Sequence, residues 1–223
     1  MSVVRFYFDY ESPNAYLAWT QLPALAARTG VAVEPVPVLY AALLDAHGQI
    51  GPGEQPAKGR WMVKNVMRKA ALLGVELNPP AFLPFNPLLA LRVTLLAPEE
   101  SRSAVIDALF RAVWARRLHV SEPAVVEALL GDLGLDGAGL VARAQEPEVK
   151  ARLRRDTEEA IVRGVFGVPM MEVAGELFWG YDDFPFLELF LTGKDPLPAS
   201  LRGDGLAPPT ASSHRRRFRG DAG

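Results

Sequence analysis

The sequence predicts an α/β fold: a β-α-β unit and a β-β-α unit with an all-helical segment inserted between them. Two observations carry this expectation. Short runs rich in Val, Phe, Tyr and Trp lie near the two ends of the chain, and apolar residues recur at three- and four-residue spacings through the middle. A third is the placing of Gly and Pro at most junctions between these runs.

Val3 to Tyr10 is apolar except for Arg5 and Asp9 and stops at Glu11-Ser12-Pro13, as a short central strand does. Pro13 to Thr29 carries Tyr16, Leu17, Leu22, Leu25 and Ala26 at helical spacing, with Gly30 as its stop. Val31 to Tyr40 reads as a second strand, and Pro35 and Pro37 put it at a sheet edge or break it early. A Gly- and Pro-rich loop, 46–56, leads into helices expected over Lys58–Leu73, Pro87–Leu96, Ser101–Leu118, Glu122–Leu133 and Pro147–Arg163. Ser121 is the expected N-cap of the fourth of these, with Pro123 in its first turn. Val168–Val173 and Glu176–Trp179 flank Ala174-Gly175 as a hairpin, and Asp182 or Asp183 is expected to cap a last helix ending at Thr192-Gly193. This order is that of a thioredoxin-like core, residues 1–45 and 165–194, with a helical insert at 46–164. The Pro-, Gly- and Ser-rich segment 195–223, with Arg215, Arg216, Arg217 and Arg219, is expected to be a disordered tail.

The 223 residues are 49% hydrophobic and 22% charged, the balance of a globular protein. A net charge of -2 offers no basic field for nucleic acid or an anionic membrane, and no apolar run is long enough to span a bilayer. The first residues lack the pattern of a secretory leader, so a cytoplasmic protein is expected. Cysteine is absent, which excludes disulfides, thiolate metal sites and cysteine nucleophiles. His47, His119 and His214 are scattered and read as surface residues, and no metal site is expected.

In thioredoxin-like proteins a Cys-Pro-x-Cys pair stands where the first strand enters the first helix, whose N-terminus stabilises a thiolate. That slot here reads Ser12-Pro13-Asn14-Ala15. Redox exchange by the protein is excluded, while a hydroxyl at Ser12 could hydrogen-bond an external thiolate and lower its pKa. Taken alone, the dipeptide is more simply an N-cap followed by proline. Gly164-Val165-Phe166-Gly167-Val168-Pro169 fits a cis-proline loop at a strand start, although an ordinary trans proline there is the commoner case. Gly137-Ala138-Gly139-Leu140-Val141-Ala142 imitates a dinucleotide fingerprint but follows a helical stretch instead of a strand.

Phe6-Tyr7-Phe8-Asp9-Tyr10-Glu11-Ser12-Pro13, Pro56-Ala57-Lys58-Gly59-Arg60-Trp61, Phe82-Leu83-Pro84-Phe85-Asn86, Val165-Phe166-Gly167-Val168-Pro169 and Phe178-Trp179-Gly180-Tyr181-Asp182 follow one another at suitable spacing. Together they resemble the 2-hydroxychromene-2-carboxylate isomerases, of DsbA-like thioredoxin fold and related to kappa-class glutathione transferases. The resemblance implies glutathione as cofactor, a small aromatic substrate and a homodimer. It implies Ser12 as the catalytic residue facing the glutathione sulfur, Val168 and Pro169 beside the cysteinyl part, Lys58 at a carboxylate and Asp182 at the γ-glutamyl end. It also implies Asn14 and Tyr181 at that site, and Gln49 where the family carries Asn. The implied chemistry is conversion of 2-hydroxychromene-2-carboxylate, or a similar intermediate of aromatic degradation, to trans-o-hydroxybenzylidenepyruvate. The alternatives are a kappa-like transferase acting on another electrophile and a noncatalytic binding protein.

Overall fold

The computed structural model describes residues 2–203. Strands β1 (Val3–Phe8) and β2 (Ala32–Pro37) run parallel, joined by helix α1 (Pro13–Thr29). Strands β3 (Met170–Val173) and β4 (Glu176–Trp179) form an antiparallel hairpin, and β3 pairs antiparallel with β1 to give the order β2-β1-β3-β4. As an inner strand β1 is covered on both faces, which is why its sequence is apolar almost throughout. Val4, Phe6 and Phe8 enter one core and Tyr7 the other, following the two-residue alternation of a strand. β2 lies at the edge, where Pro35 and Pro37 leave no ladder donor missing.

The first core is aromatic. Phe8 packs against Phe6, Tyr10, Trp19 and Phe110 with ring centroids 5.4–6.5 Å apart. The buried Tyr10 then fixes the end of β1 to two insert helices, α4 (Leu88–Leu96) and α5 (Glu99–Trp114): its hydroxyl lies 2.6 Å from Thr94 Oγ1, and its carbonyl accepts the Trp114 indole N–H at 2.9 Å. Buried polar groups are thereby paired instead of stranded. The opposite core gathers Tyr7, Val38, Leu43, Val165 and Met170 under α8 (Pro147–Val162), which contributes Ala160.

Several boundaries differ from expectation. The second strand stops at Pro37: Val38 N–H makes a last bond to the Phe8 carbonyl of β1, and the buried Asp9 carboxylate then takes Tyr40 N–H, at the start of helix α2 (Tyr40–Ala46). Helix α3 (Pro56–Leu73) begins two residues early, and α5 ends at Trp114, ahead of Arg117 at φ 56°. The glycines of the dinucleotide-like stretch belong to α7 (Gly137–Arg143), where a Cβ at Gly137 would strike the Glu127 backbone of α6 (Pro123–Asp132). Ser121 is not a cap; its hydroxyl donates to the Asn86 carbonyl at 2.6 Å. Neither Asp182 nor Asp183 caps α9 (Phe184–Leu191) through its side chain: Asp183 accepts from Trp179 N–H, and Asp182 pairs with Lys69. Pro185 in the first turn removes one of the donors a cap would serve.

The expectation of disorder from residue 195 fails over 195–203. Arg202 lies over the Phe190 ring, 5.5 Å from its centroid, pairs with Asp195 at 3.1 Å and bonds the Leu197 carbonyl. The rest of the proposed tail, with its four arginines and His214, is outside the described residues. No helix among the described residues is long and apolar enough to cross a membrane.

Candidate active site

Ser12 occupies the N-cap of α1, and the chemistry of that position follows from its neighbours. Its Oγ accepts the Ala15 N–H at 3.1 Å and donates to the Val168 carbonyl at 3.3 Å. Pro13 at N1 removes one N–H that would otherwise compete for a cap. The Val168–Pro169 peptide is cis, and the Pro169 carbonyl accepts Gly180 N–H at 2.9 Å, tying this loop to the end of β4. Ser12 is therefore held between a helix N-terminus and the cis-proline loop, 156 residues away in sequence. The helix end favours negative charge at this point.

These groups open onto a cleft of about 360 Å³ that contains Ser12, Asn14, Gln49 and Val168. Its apolar walls come from Tyr40 and Leu44 of α2, Met62 of α3, the Leu83-Pro84 turn, and Trp179. Trp179 leans across Gly167, whose missing side chain leaves room: a Cβ there would sit 3.1 Å from the indole Nε1. Gly51 is constrained in the same way, since a Cβ would sit 2.9 Å from Glu54 Oε1, which accepts the Gly51 N–H.

Two acids stand at the base of the site. Asp9 is fully buried and accepts from Glu11 N–H at 3.1 Å and Tyr40 N–H at 2.9 Å, so one carboxylate fixes both the β1–α1 loop and the start of α2. Burial pushes its pKa up to about 7 against the pull of those two donors. Glu11 lines the cleft and accepts Phe85 N–H at 3.2 Å; burial also pushes its carboxyl up, and the Phe85 donor offsets part of this.

Lys69 was not singled out by sequence. Its ammonium lies 2.7 Å from Asp182 Oδ2 and 3.4 Å from Asn14 Oδ1, so it links α3, the first turn of α1 and the corner after β4. The Lys69 side chain is 14% exposed and that of Asp182 71%, which makes Asp182 the accessible end of the pair. The signal available was helical spacing: Lys58, Met62 and Lys69 stand at i, i+4 and i+11 of α3. Not every expected residue joins the cleft. Lys58 is exposed on the first turn of α3 and does not line it; Pro169 is buried and does not line it; Tyr181 packs at a tilt against Phe184, ring centroids 5.0 Å apart, and lines a neighbouring hollow with Asp182. His119 is not a plain surface residue, since its ring stacks on Phe82 at 4.3 Å, and His47 Nε2 meets the Val165 carbonyl at 3.0 Å.

Comparison with known proteins agrees with this architecture. A DSBA-like thioredoxin domain matches residues 3–192. A 2-hydroxychromene-2-carboxylate isomerase of Sphingobium xenophagum is 31% identical over 190 residues, 84% of this chain and 97% of the relative. Human glutathione S-transferase kappa 1 is 26% identical over 89% of this chain and 95% of its own length. A solved 2-hydroxychromene-2-carboxylate isomerase superposes with a TM-score of 0.80 at 27% identity, over 86% of this chain and 95% of the other. The family model over residues 3–192 and the 31% identical relative together show that the chain belongs to the DSBA-like thioredoxin domain family, among the 2-hydroxychromene-2-carboxylate isomerases.

Proposed function

We propose that the protein is a glutathione-dependent isomerase that converts 2-hydroxychromene-2-carboxylate, or a closely similar aromatic-degradation intermediate, to trans-o-hydroxybenzylidenepyruvate. The observation that carries the reading is Ser12. In a chain without cysteine, a hydroxyl stands at the thiol position of a thioredoxin-like core, at a helix N-terminus and 3.3 Å from the carbonyl that precedes a cis proline.

The residues present fit glutathione. Ser12 and Val168 offer a hydroxyl donor and backbone beside the sulfur, and Asp182 offers an accessible carboxylate to the γ-glutamyl ammonium. Lys58 and Gln49 stand on the segments that border the cleft, with Asn14 and Tyr181 near Asp182. Glutathione when bound supplies a thiolate that adds reversibly to the conjugated substrate and leaves again after bond rotation. The chain's own part is to hold that sulfur ionised through the Ser12 hydroxyl and the α1 N-terminus, since bonding to the charged form lowers its pKa. Met62, Leu83, Pro84 and Trp179 form an apolar slot that orients an aromatic ring and excludes water from it. Glu11 lines the same cleft, its carboxyl pushed up by burial and held by the Phe85 N–H.

A second reading rests on the kappa-class relatives: transfer of glutathione to another electrophile. The two differ in whether glutathione ends up in the product. We further propose a cytoplasmic location, the one expected from the sequence, and a homodimer, which the family resemblance supports.

Thermal unfolding with and without millimolar glutathione tests the cofactor. A ligand bound only by the folded chain stabilises it by about 2.7 kcal/mol at a hundredfold excess over Kd. A clear rise in Tm, followed by isomerisation of the chromene acid without consumption of glutathione, is the expected result. Absence of any rise sinks the glutathione reading, and a glutathione adduct as product replaces the isomerase with the transferase.

A further inference from the structure

A second and larger cavity, about 430 Å³, lies between α2, α4 and α8. Its walls are Leu39, Ala42, Leu88, Leu153 and Ile161, and its polar fringe is Arg92, Lys150, Arg154, Thr157 and Glu158. Helical spacing produces it. On α8, Lys150, Leu153, Arg154, Thr157, Glu158 and Ile161 make one stripe, and on α4, Leu88 and Arg92 are one turn apart. Helix α2 separates this cavity from the Ser12 cleft: Leu39 and Ala42 face the one, Ala41 and Leu44 the other.

Arg92 has no internal hydrogen-bond partner for its buried Nε among the described residues. Arg5, Arg28, Arg111, Arg152, Arg163 and Arg202 each lie within 4 Å of a carboxylate. Arg92 has no such neighbour among the described residues. Burial holds its guanidinium below the usual arginine value, with no acid to compensate. Thr157 is already satisfied, accepting from Leu39 N–H at 3.1 Å and donating to the Leu153 carbonyl at 2.8 Å, so it does not supply that partner.

We propose that this cavity is a separate binding site for a small monocarboxylate with an apolar body, whose head pairs with Arg92 while its body lies on Leu88, Leu153 and Ile161. An unpaired guanidinium presents the planar fork that matches a carboxylate, and Lys150 and Arg154 add positive potential at the mouth. Glu158, on the same stripe, disfavours a second negative charge on the ligand. The volume and apolar lining suit a small molecule.

Decanoate and 2-naphthoate are the probes, titrated calorimetrically into the full chain, with each variant first checked for an unchanged circular dichroism spectrum and cooperative unfolding. Wild type takes up one equivalent of one or both probes. Arg92→Met weakens the binding at least tenfold, Ala42→Phe fills the cavity and abolishes it, and Ser12→Ala leaves it unchanged. Failure of both probes to bind wild type, or equal binding to wild type and Arg92→Met, overturns the site. Loss of binding in Ser12→Ala would place the probe in the active cleft and overturn it too. Binding that appears only on dilution would mean that a second copy of the chain covers the cavity, which also refutes a small-molecule site.

Discussion

Lys69 and Asp182, 113 residues apart in sequence, form a 2.7 Å ion pair whose lysine is mostly buried and whose aspartate faces water. The lysine thus fixes one carboxylate oxygen and leaves the other side of the group to a ligand. Lys69→Met is expected to raise the Kd for glutathione about fivefold, roughly 1 kcal/mol, the scale of a partly exposed pair. The turnover rate should stay within twofold. Calorimetric titration and steady-state kinetics separate the two, and an unchanged Kd would confine the pair to holding α3 against the β4–α9 corner.

Ser12→Ala removes both a cap and a donor. Loss of the cap costs about 1 kcal/mol of stability. A hydrogen bond to a charged group is worth roughly 1.5–3 kcal/mol, so the isomerisation rate should fall by roughly 10- to 150-fold. The thiolate absorbance of bound glutathione, followed against pH, should titrate higher in the variant. A rate loss with no change in that titration would show that the hydroxyl acts otherwise than on the sulfur.

Asp9 gives a prediction in pH. Its pKa is about 7 in the folded chain, above the ordinary carboxylate value of the unfolded one. Between these values the folded state holds a proton that the unfolded state has released, so this group's contribution to stability falls as pH rises from about 4 to about 7 and is level above. Asp9→Asn lacks that dependence and also loses an acceptor for one of two backbone N–H groups. It should be less stable than wild type, by a margin that is widest near pH 4 to 5 and narrows toward pH 8. Denaturant unfolding across this range is the measurement; a constant margin would show that Asp9 titrates as it does when unfolded.

Gly167→Ala tests the cleft wall. The added methyl meets the Trp179 indole at 3.1 Å, and because Trp179 is 53% exposed it can move aside, so stability should change by less than about 1 kcal/mol. The KM for the aromatic substrate should rise and the tryptophan emission should shift. Unaltered emission together with an unaltered KM would remove Trp179 from the substrate slot.

The sheet and the Ser12 slot were legible because they rest on short-range signals. The apolar run through Phe6, Tyr7 and Phe8, the Ser12-Pro13 cap and the Ala174-Gly175 turn all act within a few residues. What was not legible depends on partners distant in sequence. Helix α2 begins where it does because Asp9 captures Tyr40 N–H, 31 residues away. Ser121 and Asp183 are residue types that favour an N-cap and stand just before a helix, yet the Asn86 carbonyl and the Trp179 N–H take their side chains instead. Lys69 resembles any helix lysine until the fold brings Asn14 and Asp182 to it. Arg202 holds residues 195–203 through Phe190 and Asp195, contacts that a composition rich in Pro and Gly gives no sign of.

The bond from Ser12 to the Val168 carbonyl has a consequence for what the cleft admits. With Ala15 N–H on one side and that carbonyl on the other, the hydroxyl has both a donor and an acceptor of its own. An arriving sulfur compound must therefore compete with a neutral carbonyl for the serine hydrogen. A protonated thiol, a weak acceptor, loses that competition, whereas an anion wins it because charge-assisted hydrogen bonds are roughly twice as strong as neutral ones. The serine thus acts as a filter on protonation state, passing over the neutral majority of a thiol pool at neutral pH in favour of its ionised fraction.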